Sequence, residues 1–220
     1  MKTSVWMPTT GPIIGTIADH GGSHDQMCGA LDLTGAVLVT APFGYATLPA
    51  CLRRSVADSL LDWFESDAPW RLVEADFYDQ WEFSLWDVEA PEAKALTSNE
   101  TLSRLRAGMG RLFGCDFSEK VAVAAHRLSG GQRIAIHNDY LAGEETHRLV
   151  VQLNRGLTDE QGGFLMLFNS ADARDVHQVL RPAHRSGLAF EISASSFHAV
   201  SRVHGGERYT IVFSFYAKSR

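Results

Sequence analysis

From about residue 121 onward the chain breaks into short apolar runs, at 121–128, 133–139, 148–154, 163–168, 187–192, 197–203 and 207–216. Clusters of Gly, Asn, Asp and Pro separate them. Strands this short bury their apolar residues only by pairing with one another, so the pattern predicts a β-sandwich, barrel or jelly roll. The last run is the most explicit. Tyr209, Ile211, Phe213 and Phe215 alternate with Arg208, Thr210, Val212 and Ser214. Period two gives that strand one apolar face, suited to packing against helices, and one partly polar face.

The first half reads differently. Residues 1 to about 30 are rich in Gly, Thr and Pro, which suggests an arm or lid. His20, His24 and Cys28 lie there at even spacing, but Gly21 and Gly22 argue against the helix that would gather them around a metal. The run Ala36–Thr40, bounded by Gly35 and Pro42, suits a short strand. Between Pro49 and about Glu65, Leu52, Val56, Leu60 and Trp63 or Phe64 recur at helical spacing, and Ser66–Pro69 stops the helix. A second helix is announced by the capping-box spacing of Thr97–Glu100; it carries Leu102, Leu105, Met109, Leu112 and Phe113 on one face and ends at Gly114. Between them, residues 76–87 mix Asp76, Asp79, Glu82 and Asp87 with Phe77, Tyr78, Trp81, Phe83 and Trp86. Rings packed on the core would explain that stretch, and so would a substrate-facing loop suited to a cationic group. The expected architecture is mainly β with N-terminal helices packed on one sheet. It forms one domain over 1–220: an arm at 1–30, a helical support region at 31–120 and a jelly-roll core at 121–217.

A net charge of -6 argues against a nucleic-acid partner held by phosphate neutralisation. No apolar run approaches a membrane span, and no basic segment leads into an apolar one at the N-terminus, so neither membrane nor signal peptide is expected. Cys28, Cys51 and Cys115 are odd in number and far apart, which fits a reducing, cytoplasmic setting.

The chemistry concentrates in two places. In Arg133–Asp139, Ile134 and Ile136 alternate with Ala135 and His137, and continued alternation puts His137 and Asp139 on one face. His198, in the run 197–203, offers a third ligand from another strand. Two imidazoles and a carboxylate on one side of a metal make the facial triad of non-haem iron oxygenases. Arg208 is the second place. A guanidinium on an inward face is costly unless an anion meets it; its planar fork matches a carboxylate, and Thr210 adds a hydroxyl. A buried Asp or Glu partner would satisfy Arg208 equally well. Arg148, Val150, Gln152 and Asn154 form a more polar strand face, where Arg148 either lines the pocket or joins an inter-strand salt bridge. His147, His177, His184 and His204 sit among polar or turn residues and are expected to be solvated.

These residues carry a resemblance. His137-x-Asp139, the strand Arg148–Asn154, Gly162-Gly163-Phe164-Leu165, Gly187-x-x-Phe190, His198-Ala199-Val200 with Val203, and Gly206-Glu207-Arg208-Tyr209 resemble the Fe(II)/2-oxoglutarate-dependent oxygenases of the prolyl-4-hydroxylase-like branch. The resemblance covers about residues 120 to 217 and implies a double-stranded β-helix, the cupin-like jelly roll. It implies His137, Asp139 and His198 as catalytic iron ligands. It also implies Arg208, with Thr210, on the distal carboxylate of 2-oxoglutarate. Fe(II), 2-oxoglutarate and O2 would be required, with ascorbate as a reductant. The reaction implied is hydroxylation of an unactivated C–H bond in an amino acid or peptidyl residue, releasing succinate and CO2. Related halogenases carry a small residue where Asp139 stands, so its carboxylate favours hydroxylation. Relatives often have a Tyr on the preceding strand, for which this chain offers His126 or Arg127. The substrate is expected to be a small-molecule amino acid or a peptide, with a slight lean toward a basic side chain; the sequence leaves the oligomeric state open, a homodimer among the options. Prolyl hydroxylation of a peptide or protein, a non-catalytic jelly-roll binding protein and a zinc hydrolase are the competing readings.

Overall fold

The computed structural model describes residues 29–75 and 78–218. The arm expected at 1–30, with His20, His24 and Cys28, lies almost wholly outside the described residues, as do Asp76 and Phe77. The elements in order are β1 (Tyr45–Leu48), α1 (Arg54–Ser66), β2 (Arg71–Ala75), β3 (Tyr78–Ser84), α2 (Pro91–Thr97), α3 (Asn99–Phe113), β4 (Phe117–Leu128), β5 (Ile134–His137), β6 (His147–Leu153), β7 (Leu165–Phe168), β8 (Val176–Leu180), β9 (Gly187–Glu191), β10 (His198–Val200) and β11 (Arg208–Ala217).

The strands pair in the order β1-β9-β6-β11-β4-β3-β5-β10-β7-β8, with β2 on the free side of β3. All the pairings are antiparallel. A single residue pair, Tyr78 with Ile134, joins β3 to β5, so the path divides there into a large sheet and a smaller one of β5, β10, β7 and β8. This is the double-stranded β-helix expected of the sequence. Three of its strands, β1, β2 and β3, come from the segment read as helical support.

Strand β11 runs between β4 and β6 and organises the interior. Its alternation holds as read: Tyr209, Ile211, Phe213 and Phe215 share one buried cluster with Leu60, Leu61, Phe64, Leu96, Leu105 and Met109 of the helices. A second cluster joins Leu128, Leu165, Leu167, Leu188, Phe190, Val200 and Val203, residues of both sheets. The two clusters explain why the strands alternate so strictly, since each face of the large sheet has its own core.

The helices form for local reasons. In α1 the buried residues are Ala57, Leu60, Leu61 and Phe64, one stripe at three- and four-residue spacing. It starts at Arg54, not Pro49, because Leu52 is still extended and bridges Leu31. The α3 cap is Ser98, whose Oγ accepts the Thr101 N–H at 3.2 Å; Thr97 instead ends α2, which opens with Pro91 in its first turn. Gly114 closes α3 in the left-handed conformation, φ 67°.

Two expectations fail. The run Ala36–Thr40 is not a strand: it makes one bridge, Val39 with Tyr45, and leaves Val37 74% exposed. Apolar composition alone cannot make a strand without a sheet edge to pair with. His147 is not solvated, because it starts β6 and its ring packs edge-on against Phe113 and Phe117, with centroids at 4.6 and 4.9 Å. Burial pulls its pKa down to about 4. The unfolded chain therefore takes up a proton below the ordinary value of about 6.5 that the folded chain refuses until about pH 4, and stability falls as pH drops through that window. His147→Phe should flatten the decline by up to roughly 1.4 kcal/mol per pH unit, read from urea melts between about pH 7 and pH 5.

Candidate active site

His137 ends β5, and His198 begins β10 directly opposite it in the antiparallel register. That pairing sets the two rings 4.2 Å apart, centroid to centroid. Each ring is oriented by its own backbone: His137 Nδ1 lies 2.9 Å from the Ala135 carbonyl and His198 Nδ1 2.8 Å from the Ser196 carbonyl. A carbonyl only accepts, so each Nδ1 carries the proton and each neutral ring turns the Nε2 lone pair inward.

Asp139 reaches the same point by a route the alternation did not foresee. The strand stops at His137, and Asp139 sits in the left-handed region at φ 56°, so a turn and not period two brings its carboxylate back. Asn138 and Ser196 hold that turn. The Asn138 amide donates to the Ala194 carbonyl at 3.1 Å, its Oδ1 accepts the Tyr140 N–H at 3.1 Å, and Ser196 Oγ donates to the Asn138 carbonyl at 3.0 Å. Asp139 Oδ2 then stands 3.3 Å from His137 Nε2 and 3.1 Å from His198 Nε2.

His137, Asp139 and His198 thus offer one ligand atom each, all within 4.8 Å of one another. With both Nδ1 atoms protonated, the three converging atoms are all acceptors, an arrangement that asks for a cation between them. Burial opposes charge on Asp139, but the Arg148 guanidinium at its Oδ2 favours the ionised form, and the carboxyl stays well below the usual range. Burial also keeps His198 below its ordinary value. Both shifts preserve the ligating forms, a carboxylate and a neutral imidazole. Arg148 is at once pocket-lining and ion-paired. Its Nη1 meets Asp139 Oδ2 at 2.6 Å, while Nε and Nη2 grip the Glu145 carboxylate at 2.9 and 2.7 Å.

Arg208 lies on the inward face of β11 and is 3% exposed. Its Nε has no hydrogen-bond partner, and among the described residues no carboxylate lies within ion-pair distance. The buried-Asp-or-Glu alternative therefore fails, and burial alone pulls its pKa down to about 10. Gly163, at φ 73°, makes room for it: a Cβ there would stand 3.1 Å from Arg208 Cδ. Thr210, also buried, is in register with Gln152 of β6 and His126 of β4, and His126 with Glu82 of β3. These four side chains form a polar row across the inner face. Burial, with Arg148 and Arg208 nearby, pulls His126 down to about 3 and keeps it neutral. Gln152 Oε1 is a second buried atom without a partner.

Where it is described, the stretch at 76–87 is strand β3 as far as Ser84, followed by a 3-10 turn at Leu85–Asp87, and not a loop. Phe83 is buried and Trp81 lies under the Arg127 guanidinium at 4.7 Å, both on the outer face, while Tyr78 shares the inner face. Glu82 points the other way, into the polar row. Gln80, buried on that inner face, was missed; its signal is the alternation Gln80, Glu82, Ser84 against Trp81 and Phe83.

Residues 123–216 match the sequence pattern of the family described as the 2OG-Fe(II) oxygenase superfamily. No curated relative matches the sequence. Among solved structures, a Pseudomonas putida prolyl-4-hydroxylase superposes with a TM-score of 0.64 at 17% identity, covering 80% of this chain and 93% of its own. A prolyl hydroxylase from Trichoplax adhaerens, in complex with a hypoxia-inducible-factor peptide fragment, gives 0.64 at 15%, with 78% and 83% covered. A viral collagen prolyl hydroxylase from Paramecium bursaria Chlorella virus-1, in a 2OG complex, gives 0.56 at 14%, with 80% and 96% covered. At such identities the likeness speaks for the fold. The family pattern spans the segment that carries His137, Asp139, His198 and Arg208, so the sequence match to the 2OG-Fe(II) oxygenase superfamily falls on the site itself, on a scaffold similar to that of prolyl-4-hydroxylases.

Proposed function

We propose that the chain is a hydroxylase of an unactivated C–H bond in an amino acid or peptidyl residue, coupled to conversion of 2-oxoglutarate to succinate and CO2. In this reading His137, Asp139 and His198 hold Fe(II), and Arg208 with Thr210 binds the distal carboxylate of 2-oxoglutarate. One observation carries it: three converging acceptor atoms share a pocket with a buried guanidinium that has no anion. Bound there, Fe(II) supplies the redox chemistry that couples O2 to decarboxylation of the keto acid and oxidation of the C–H bond.

The chain's own residues supply the rest. The carbonyls of Ala135 and Ser196 fix both rings, so the ligand atoms are in place before metal arrives. Arg148 holds the Asp139 carboxylate in its ionised form and is itself held by Glu145. Arg208 draws a dicarboxylate inward because the pocket excludes the water that would otherwise solvate its charge. Neutral His126 leaves the guanidinium's charge to the cosubstrate and does not compete with it. A zinc hydrolase would use the same three ligands but would leave Arg208 with nothing to bind.

The unit performing this chemistry is residues 1–220 taken as one domain, in a reducing, cytoplasmic setting in keeping with the free, buried thiol of Cys51. No helix among the described residues is long and apolar enough to cross a membrane. Peptidyl proline is the second reading of the substrate, favoured by the peptide bound to the structurally similar Trichoplax adhaerens enzyme.

Anaerobic addition of Fe(II) and 2-oxoglutarate should raise the weak visible charge-transfer band of the chelate, and His198→Ala should abolish it. A folded, metal-loaded protein without that band would sink the assignment. Arg208→Ala should raise the half-saturating 2-oxoglutarate concentration by the loss of about 1.5–3 kcal/mol of charge-assisted hydrogen bonding, roughly 10- to 150-fold, with metal binding retained. Unchanged turnover at limiting 2-oxoglutarate would remove Arg208 from this role. Gly163→Ala strains the backbone by about 1–3 kcal/mol and pushes on Arg208, so the same constant should rise while metal affinity is kept, as calorimetry would show.

A further inference from the structure

We infer that Glu82 is the anchor for a positively charged group of the substrate, so that the substrate class is an amino acid or peptidyl residue with an ammonium or guanidinium side chain. The inference rests on the hydroxylase reading above and adds what that site selects.

Glu82 lies on the inner face of β3, in register with His126, which is in register with Thr210. It therefore belongs to the same wall as the Arg208 pocket. The strand that carries it also meets the metal-centre strand, since Tyr78 pairs with Ile134 of β5. Burial raises the Tyr78 phenol's pKa, and the Glu82 and Asp139 carboxylates raise it further, so both charges act on one side chain.

The other charged groups of this wall are matched. Asp139 and Glu145 share Arg148, and Arg208 awaits the dicarboxylate. Glu82 has no such match: among the described residues no Lys or Arg lies within ion-pair distance, and its one near neighbour of basic type, His126 Nε2, stands 3.9 Å away. His126 is kept neutral by burial, so it does not cancel the carboxylate's charge.

Nor is Glu82 a loose surface acid. Gln80, 3% exposed, donates its Nε2 to Glu82 Oε2 at 2.7 Å, while its own Oε1 has no partner. A buried amide fixes the carboxylate, and Gln80 Oε1 adds an unpartnered acceptor beside it. The Glu82 side chain is 32% exposed, enough to be reached from the pocket. An uncompensated carboxylate held on a partly desolvated wall is costly alone and favourable against a cation rich in N–H donors. Ammonium and guanidinium have donors and no acceptor, which is the complement required. The nearby guanidinium ions do not repel such a group, because Arg148 is neutralised by its two carboxylates and Arg208 by the cosubstrate.

The test is calorimetric binding of L-lysine and L-arginine, free and as N-acetyl amides, against the neutral isosteres L-norleucine and L-citrulline and against N-acetyl-L-proline amide. It is run on metal-free protein and on the anaerobic Fe(II)/2-oxoglutarate form. A cationic member should bind at least about tenfold more tightly than its isostere, in line with a charge-assisted hydrogen bond of about 1.5–3 kcal/mol. Glu82→Gln should erase that preference, with the charge-transfer band showing that the variant still folds and loads. Equal binding of isosteres, a preference that survives in Glu82→Gln, tighter binding of the proline amide, or no binding by any cationic member would each overturn the proposal. A missing charge-transfer band would count against the iron assignment alone, because the metal-free arm still reads the charge preference.

Discussion

Everything in this structure depends on β11 having two different neighbours above and below it. Its aromatic and aliphatic face closes the core under the helices, while the alternate residues, Arg208 and Thr210 first among them, face the space between the sheets. Neither face could exist without the other. A guanidinium stays buried because the strand that carries it is clamped on both edges, by β4 and β6, and cannot slip by one residue without turning Phe213 and Phe215 into the polar space. The register that makes the core is the register that makes the pocket.

The same economy holds at the other end of the site. Antiparallel pairing of β5 with β10 brings His137 and His198 together across a large separation in sequence, and backbone carbonyls two residues before each histidine orient the rings. Few side chains are spent on the task. What side-chain support there is goes to Asp139, which leaves the strand and needs Asn138, Ser196 and Arg148 to keep it in place. The proposed centre thus combines two imidazoles fixed by regular structure with a carboxylate fixed by a built turn.

Much of this was legible in the chain. The alternation at 207–216 gave both faces of β11 correctly, because a strand buried on one side and polar on the other leaves a strict period. The helical stripes at Leu60 and Phe64 and at Leu105 and Met109 were equally plain, and Gly114 marked the end of α3. What could not be read was whatever depends on a partner distant in sequence. Ala36–Thr40 has the composition of a strand but no edge to join, whereas Tyr45–Leu48, which is less apolar, pairs with β9. His147 looks polar in its local sequence and becomes buried only because α3 and the start of β4 bring Phe113 and Phe117 to it. Asp139 does lie beside His137, but by another route than the alternation implied, since a two-residue periodicity and a left-handed turn predict the same neighbour. The inner row of Gln80, Glu82, His126 and Gln152 was visible residue by residue, but its unity appears only in the register.

The left-handed backbone at Asp139 has a consequence for how such a centre can change over time. A positive φ is the conformation glycine adopts without penalty and aspartate adopts at some cost. The fold therefore places no steric barrier against losing this carboxylate: glycine would suit the turn at least as well, and Arg148 would keep Glu145 as its one counter-charge beside the vacated position. In the proposed reading, what calls for an acid here is coordination and charge. A three-ligand centre at this turn is then chemical in origin, while the backbone is indifferent to it.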